Sequence, residues 1–292
     1  MTTIENEYLR VSIRPQGAEL TSIYNKKENI EHLWDSNPDI WPWHAPNLFP
    51  IVGGLNNDTL HVDGAGYHMT RHGFTRTSTF KKIESTKTHA KYSLNFSEDT
   101  LAVYPYKFEF QILYDLIDNA LRISYKVVNH DDKTIYFSVG AHPAFNVPFN
   151  KDKGEAYEDY YLEFELDEKL ETYVLSSTGN FNGEVEPIPT ENKKLALTRG
   201  LFAKDALVFK NLKSREISLR SHKHNSYISV EYPHFNYMGI WAKYGADFVC
   251  IEPWLGCSDT DNKITDIKQK EAIQKVEKGH VFEVEYFIKT SY

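Results

Sequence analysis

The chain has 292 residues, with 33 basic and 41 acidic side chains and a net charge of −8, which excludes a general affinity for nucleic acid or anionic membrane. Cys250 and Cys257 are the only cysteines, too few for a disulfide framework or a zinc-ligand pattern. No apolar run approaches the roughly 20 residues that span a bilayer, and the start MTTIENEYLRVSIRP lacks the apolar stretch of a signal peptide, so a soluble cytoplasmic protein is expected.

Nineteen Tyr, seventeen Phe and five Trp suit strands and also the lining of a sugar site. In chain order, Gln16-Gly17 is a turn signal and Asn37–Trp41 is expected to form a short turn of helix. Strands are expected at Tyr92–Phe96, Phe108–Leu116 and Ala120–Asn129, the last two joined by a hairpin turn at Ile117-Asp118-Asn119. Further strands are expected at Thr134–Val139 and Tyr161–Leu166, a turn at Gly179–Gly183, and a second short helix at Arg199–Asp205. Strands follow at Glu216–Arg220, Tyr227–Glu231, Met238–Trp241 and Phe248–Glu252. In the last segment, Val281–Ile288, a period of two assigns Phe282, Val284, Tyr286 and Ile288 to a buried face. Many short strands, no four-turn amphipathic helix, no linker and no repeat predict packed antiparallel sheets in one sandwich-like domain.

Three segments break the strand pattern, and such breaks are where function is expected. The first is Ala45–Arg76, rich in Pro, Gly and Asn, which sets Arg71, His72 and Arg76 around Gly73. Glycine lets backbone approach a ligand and arginine offers a planar fork to oxygen acceptors; the other reading is a long connection with solvated charges. In the second, Val139–Pro148, His142 ends an apolar run and precedes Pro143, which restricts its backbone to extended conformations. A fixed imidazole suits proton transfer near neutral pH, and a structural core histidine is the competing reading. The third is Phe248–Asp259. Phe248–Ile251 reads as a buried strand capped by Glu252, with Trp254 two residues on. Burial beside aromatic rings would raise the Glu252 pKa and make it a stronger base, unless it simply reaches solvent at the strand end.

Other chemistries have less support. There is no GxGxxG or phosphate-cradling P-loop and no GxSxG elbow. His222-Lys223-His224 lacks a further ligand at metal spacing and reads as an exposed turn. A paired-carboxylate glycosidase remains open, with Asp205 or Asp259 as partner to Glu252.

HGFTR at His72–Arg76, GAHPAFNVP at Gly140–Pro148, KDALVFK at Lys204–Lys210 and CIEPWLGCSD at Cys250–Asp259 together resemble the aldose 1-epimerase (galactose mutarotase-like) superfamily, in its LacX-like branch. The likeness runs from VSIRPQGAELTSI near the N-terminus to the final strand. It implies an all-β β-supersandwich of large antiparallel sheets, as a single domain over 1–292 with an open carbohydrate cleft. It further implies that Glu252 is the base that takes the proton from the C1 hydroxyl, and that His142 is the acid that protonates the ring oxygen. His72 would hold substrate and assist the acid, and Asp205 would bind sugar hydroxyls, with Asn47, Arg71, Arg76 and Trp254 as further substrate-binding candidates. One departure stands out: where many relatives have Gly-Arg, this chain has Gly53-Gly54, leaving Arg71 or Arg76 to replace the missing guanidinium.

Anomerisation opens a hemiacetal, turns the C1–C2 bond and recloses the ring on the other carbonyl face. It needs one proton acceptor and one donor, and no redox cofactor, metal or covalent intermediate. The expected partner is a monosaccharide, with no nucleic acid and no membrane, bound by a monomer or homodimer. Competing readings are a hexose-6-phosphate 1-epimerase, whose phosphate would call on Arg71, Arg76 and Lys81-Lys82; a sugar sensor without catalysis; and a glycoside-active enzyme.

Overall fold

The computed structural model describes residues 1–150 and 153–292. Its largest feature is a nine-stranded antiparallel sheet. In spatial order it runs Lys194–Ala196, Tyr160–Phe164, Glu216–Ser221, Tyr227–Glu231, Val281–Thr290, Ala120–Asn129, Phe108–Ile117, His89–Asn95 and Lys81–Ser85. The expected hairpin lies at its centre: Phe108 pairs with Asn129 and Ile117 with Ala120. Asp118 in the turn has φ 50°, a conformation that short polar side chains tolerate.

Period-two patterning sets the face of this sheet. Phe108, Phe110, Ile112 and Tyr114 are buried on one strand and Leu121, Ile123, Tyr125 and Val127 on the next. Val284, Tyr286 and Ile288 are buried on the last strand as expected, and Phe282 is partly buried. Phe49 stacks on Phe110 with ring centroids 4.5 Å apart, tying this face to the second layer.

That second layer is a six-stranded antiparallel sheet ordered Leu207–Phe209, Tyr237–Trp241, Phe248–Leu255, Val139–Ala141 and Asn47–Leu48, with Ala144–Asn146 also pairing to Phe248–Leu255. A four-stranded sheet is made by Thr2–Glu5, Leu9–Ile13, Leu20–Asn25 and Ile30–Glu31.

Three expectations need correction. Asn37–Trp41 and Arg199–Asp205 are not helices. In the first, the amides of Ile40 and Trp41 both bond to the Asn37 carbonyl, so a single turn closes and stops. The expected strand Thr134–Val139 is two strands, Ile135–Phe137 and Val139–Ala141. The chain crosses between sheets at Ser138, whose amide bonds to the Pro50 carbonyl and whose side chain fills the space beside Gly256. Glu252 does not cap its strand, which continues fully buried to Leu255. The helix with α geometry among the described residues is the four-residue turn Glu98–Leu101, and no helix is long and apolar enough to cross a membrane.

Candidate active site

The strand Phe248–Leu255 pairs with two pieces of chain in succession. Ala144, Phe145 and Asn146 face Cys250, Val249 and Phe248, whereas Val139 and Gly140 face Leu255 and Trp254. Between those ladders stand His142-Pro143 on one side and Glu252-Pro253 on the other. Proline has no N–H to give to a ladder and holds the residue before it extended. The two X-Pro pairs thus coincide with the interruption in the pairing. His142 is further anchored by its amide, which bonds to the Pro46 carbonyl at 3.1 Å. Across the gap, His142 Nε2 lies 3.2 Å from Glu252 Oε2, and the two side chains are 11% and 1% exposed.

His72 arrives from a loop. Its φ of 69° is unusual for a side chain with a Cβ, and two hydrogen bonds hold it there: its amide to the Gly53 carbonyl at 3.0 Å, and the Gly53 amide to its Nδ1 at 3.1 Å. Because Nδ1 accepts, neutral His72 carries its proton on Nε2. The next residue, Gly73, has φ 73°, and a Cβ there would sit 2.3 Å from the Phe49 carbonyl oxygen. Close backbone approach places the histidine. Its ring centroid is 5.6 Å from that of His142.

Trp254 lies on a bed of glycine. A Cβ on Gly239 would come within 2.5 Å of its ring, and one on Gly140 within 2.7 Å. Both glycines sit on strands flanking Trp254, and the missing side chains let the indole lie flat against the sheet. Trp41 stacks on the His142 ring at 5.0 Å and Trp241 meets it edge-on at 5.8 Å.

These groups line one cavity of about 290 Å³, near the lower bound of roughly 300 Å³ for small-molecule sites. His142, Glu252, His72, Asp205, Arg71, Arg76 and Trp254 all face it. Arg71 is steadied by a bond from Nη2 to the Thr178 carbonyl at 2.9 Å. The guanidinium takes the space where a Cβ on Gly179 would stand. Arg76 bonds to the Arg71 carbonyl at 3.1 Å and lies over Trp43.

Burial dominates the electrostatics. It holds the Glu252 carboxyl well above the usual carboxylate range, and the negative charge of Asp205 adds to the shift. Burial lowers His142 to about 3, helped by Arg76 and Arg71. It also holds His72 well below its ordinary value, with His142 and the two arginines contributing. Desolvation disfavours the charged form of each group. Burial therefore favours a carboxylic acid at Glu252 beside a neutral His142 imidazole, one proton for the two groups.

Other sequence-derived candidates fall outside the cavity. Asn47, expected to bind substrate, does not line it. Its amide nitrogen donates to the Gly17 carbonyl at 2.9 Å and its oxygen accepts from Tyr125 at 2.7 Å, so it braces the core between the sheets. Asp259 accepts from Lys270 and from the Asn56 amide, which removes it as a second carboxylate for Glu252. Lys81-Lys82 belong to an exposed edge strand. A Cβ on Gly54 would come within 2.8 Å of Asn180 Oδ1, so a longer residue there would require the Asn180 side chain to move. Trp41, Trp241, Lys243 and Ser258 also line the cavity and were missed. Trp241 ends an expected strand, Trp41 ends the expected turn and Ser258 lies in the third pattern break, whereas nothing local to the sequence marks Lys243.

The fold, with two large antiparallel sheets and a histidine–carboxylate pair set into the smaller, defines a β-rich, mutarotase-like class. The family model of aldose 1-epimerase matches residues 1–267. The plasmid-encoded protein LacX of Lactococcus lactis subsp. lactis is 34% identical over 285 residues, covering 94% of this chain and 93% of its own. A galactose mutarotase related enzyme from Lactobacillus acidophilus superposes with a TM-score of 0.93 at 35% identity, over 100% of this chain and 97% of that one. A galactose mutarotase-like protein from Lactobacillus casei does so with a TM-score of 0.93 at 30% identity, over the whole of both chains. The chain belongs to the aldose 1-epimerase family, in its LacX-like branch.

Proposed function

We propose that the protein is an aldose 1-epimerase that interconverts the α and β anomers of a free hexose such as galactose or glucose. The observation that carries this reading is the 3.2 Å approach of His142 Nε2 to Glu252 Oε2 inside a sugar-sized cavity. O1 and O5 of a hexose are both bonded to C1. An acid and a base that serve them must therefore stand close together, and these two do.

With the ring closed, the reacting state is Glu252 carboxylate and His142 imidazolium. Glu252 takes the proton from O1 while His142 gives one to O5, and the C1–O5 bond breaks. The open-chain aldehyde is then matched by carboxylic acid and neutral imidazole, the form that burial favours. Rotation about C1–C2 and reversal of both transfers close the other anomer. The proton count of the pair is unchanged throughout. Each transfer is worth about 10²–10⁴-fold. His72, with its proton on Nε2, is suited to donate a hydrogen bond to a sugar oxygen. Asp205, Arg71 and Arg76 would orient hydroxyls, and Trp254 offers an aromatic face.

A second reading is favoured by one observation. Arg71, Arg76 and Lys243 line the cavity, and none forms an ion pair with a carboxylate among the described residues. A hexose 6-phosphate would bring the missing anion to them.

Polarimetry on freshly dissolved α-glucose, α-galactose and their 6-phosphates tests both readings. Accelerated mutarotation of the free sugars, lost in His142→Asn and Glu252→Gln, supports the first. A preference of tenfold or more for the phosphates, lost in Arg76→Ala, supports the second. Binding without acceleration would leave a sugar sensor, and release of sugar from an oligosaccharide would point to glycoside chemistry.

A further inference from the structure

Cys250 has no part in the chemistry above, yet it belongs to the same corner. It stands two residues before Glu252 on one strand, so both side chains leave the same face of the sheet. Its sulfur, a Glu252 carboxylate oxygen and a ring nitrogen of His142 all lie within 4.8 Å of one another, and all three residues are buried. Among the described residues Glu252 Oε2 has no hydrogen-bond partner, although its side chain is only 1% exposed.

We infer that His142, Cys250 and Glu252 form a binding site for a divalent cation of zinc-like softness, and that the cation competes with the sugar. One thiolate, one imidazole and one carboxylate make a donor set that suits Zn²⁺ rather than Mg²⁺ or Ca²⁺. Tetrahedral bonds of about 2.0–2.3 Å place such donor atoms roughly 3.3–3.6 Å apart. His142 and Glu252 already meet that spacing, and the sulfur, within 4.8 Å of both, has only to draw in to them. The cavity wall made by His142 and Glu252 leaves the fourth position to water or a sugar oxygen. Binding releases the thiol proton to solvent as the metal–sulfur bond forms, together with any proton held between Glu252 and His142. The cation then occupies the lone pairs that proton transfer requires. Occupancy stops catalysis.

Only the inhibition half of this inference rests on the proposed mutarotase activity, so the test has two arms. In the first, Co²⁺ is titrated into the full-length protein and the near-ultraviolet sulfur-to-cobalt charge-transfer band is recorded, with Zn²⁺ added to displace it. In the second, mutarotation is followed against Zn²⁺ at several sugar concentrations. The expected result is a cobalt band present in wild type and Cys257→Ala, absent in Cys250→Ala, and abolished by Zn²⁺. Zn²⁺ should inhibit wild type reversibly and competitively. Cys250→Ala should keep its basal rate and need at least about tenfold more Zn²⁺ for the same inhibition. Cys250→Ser serves if the alanine variant is unstable. The site is overturned if wild type gives no cobalt band, or if Zn²⁺ inhibits wild type and the Cys250 variants alike. A cobalt band in a protein that moves no anomers would keep the site and overturn the activity.

Discussion

His142 and Glu252 derive their character from desolvation more than from each other. A surface histidine and glutamate would exchange charge freely with solvent. Here burial raises one group and lowers the other until a single proton is held by the pair. The sign for activity follows directly. A second proton enters only as pH falls toward about 3, where His142 titrates, and the shared proton leaves only well above the usual carboxylate range. A bell-shaped rate profile is predicted, with its acid limb below the ordinary histidine value. No fall in rate as pH drops toward about 3, with unchanged rates in His142→Asn, contradicts the assignment.

The same physics reaches stability through His32, which is fully buried. Among the described residues neither ring nitrogen has a hydrogen-bond partner, and its pKa is lowered to about 3 by burial. The unfolded chain takes up this proton below about 6.5 and the folded chain does not. The group therefore contributes stability that is complete above 6.5 and is lost as pH falls toward 3. The loss is about 1.4 kcal/mol per pH unit over that window. Urea unfolding of wild type at pH 7 and pH 4.5 should show it, and His32→Leu should flatten the difference. An equal loss in the variant would assign the acid sensitivity elsewhere, with His72 and His142 next in line. His142 and Glu252 were visible in the sequence because each interrupts an apolar run just before a proline. His32, with no such mark, was not.

At the scale of elements, two facing X-Pro interruptions place His142 and Glu252, and the glycines on either side make room for the aromatic floor. Gly239→Ala puts a methyl group into the Trp254 ring and should cost about 1–3 kcal/mol and also lower activity. Thermal melts and mutarotation rates check both effects. Wild-type values for both would show that the indole has somewhere else to go. The strands that carry these residues were legible because period-two patterning is local information. Ala120–Asn129 forms with the expected bounds, and the last strand buries the expected face. The crossing at Ser138 was not legible, since Ile135–Phe137 and Val139–Ala141 form one apolar run whose division depends on which sheet each half meets. Asn47 was misjudged for a related reason. Its polar side chain suits a sugar or a core bond equally, and only the positions of Tyr125 and Gly17 decide.

For the whole molecule, the final strand is the keystone of the large sheet. Val281–Thr290 pairs on one side with Ala120–Asn129 and on the other with Tyr227–Glu231, so it joins the early and late halves of the chain. Removing residues 281–292 should abolish the cooperative unfolding transition and send the protein to the insoluble fraction. A truncated protein with a native melt would contradict that role. Elsewhere a buried pair, Lys270 and Asp259, with side chains 3% and 8% exposed, ties the segment after Phe248–Leu255 to Asn56. Asp259→Ala strands the lysine in the interior and should cost about 3–5 kcal/mol in chemical unfolding. A loss below 1 kcal/mol would mean that Lys270 finds solvent.

The central claim, that His142 and Glu252 together pass protons to the two oxygens of one anomeric carbon, is tested most directly at equilibrium. Exchange NMR on galactose or glucose, with the α-anomeric proton selectively inverted, reads the rate of interconversion without net flux. Wild type should transfer the inversion to the β signal. Glu252→Gln and His142→Asn should each slow that transfer at least about a hundredfold while still broadening the sugar resonances on binding. Transfer at the wild-type rate in either variant would contradict the claim.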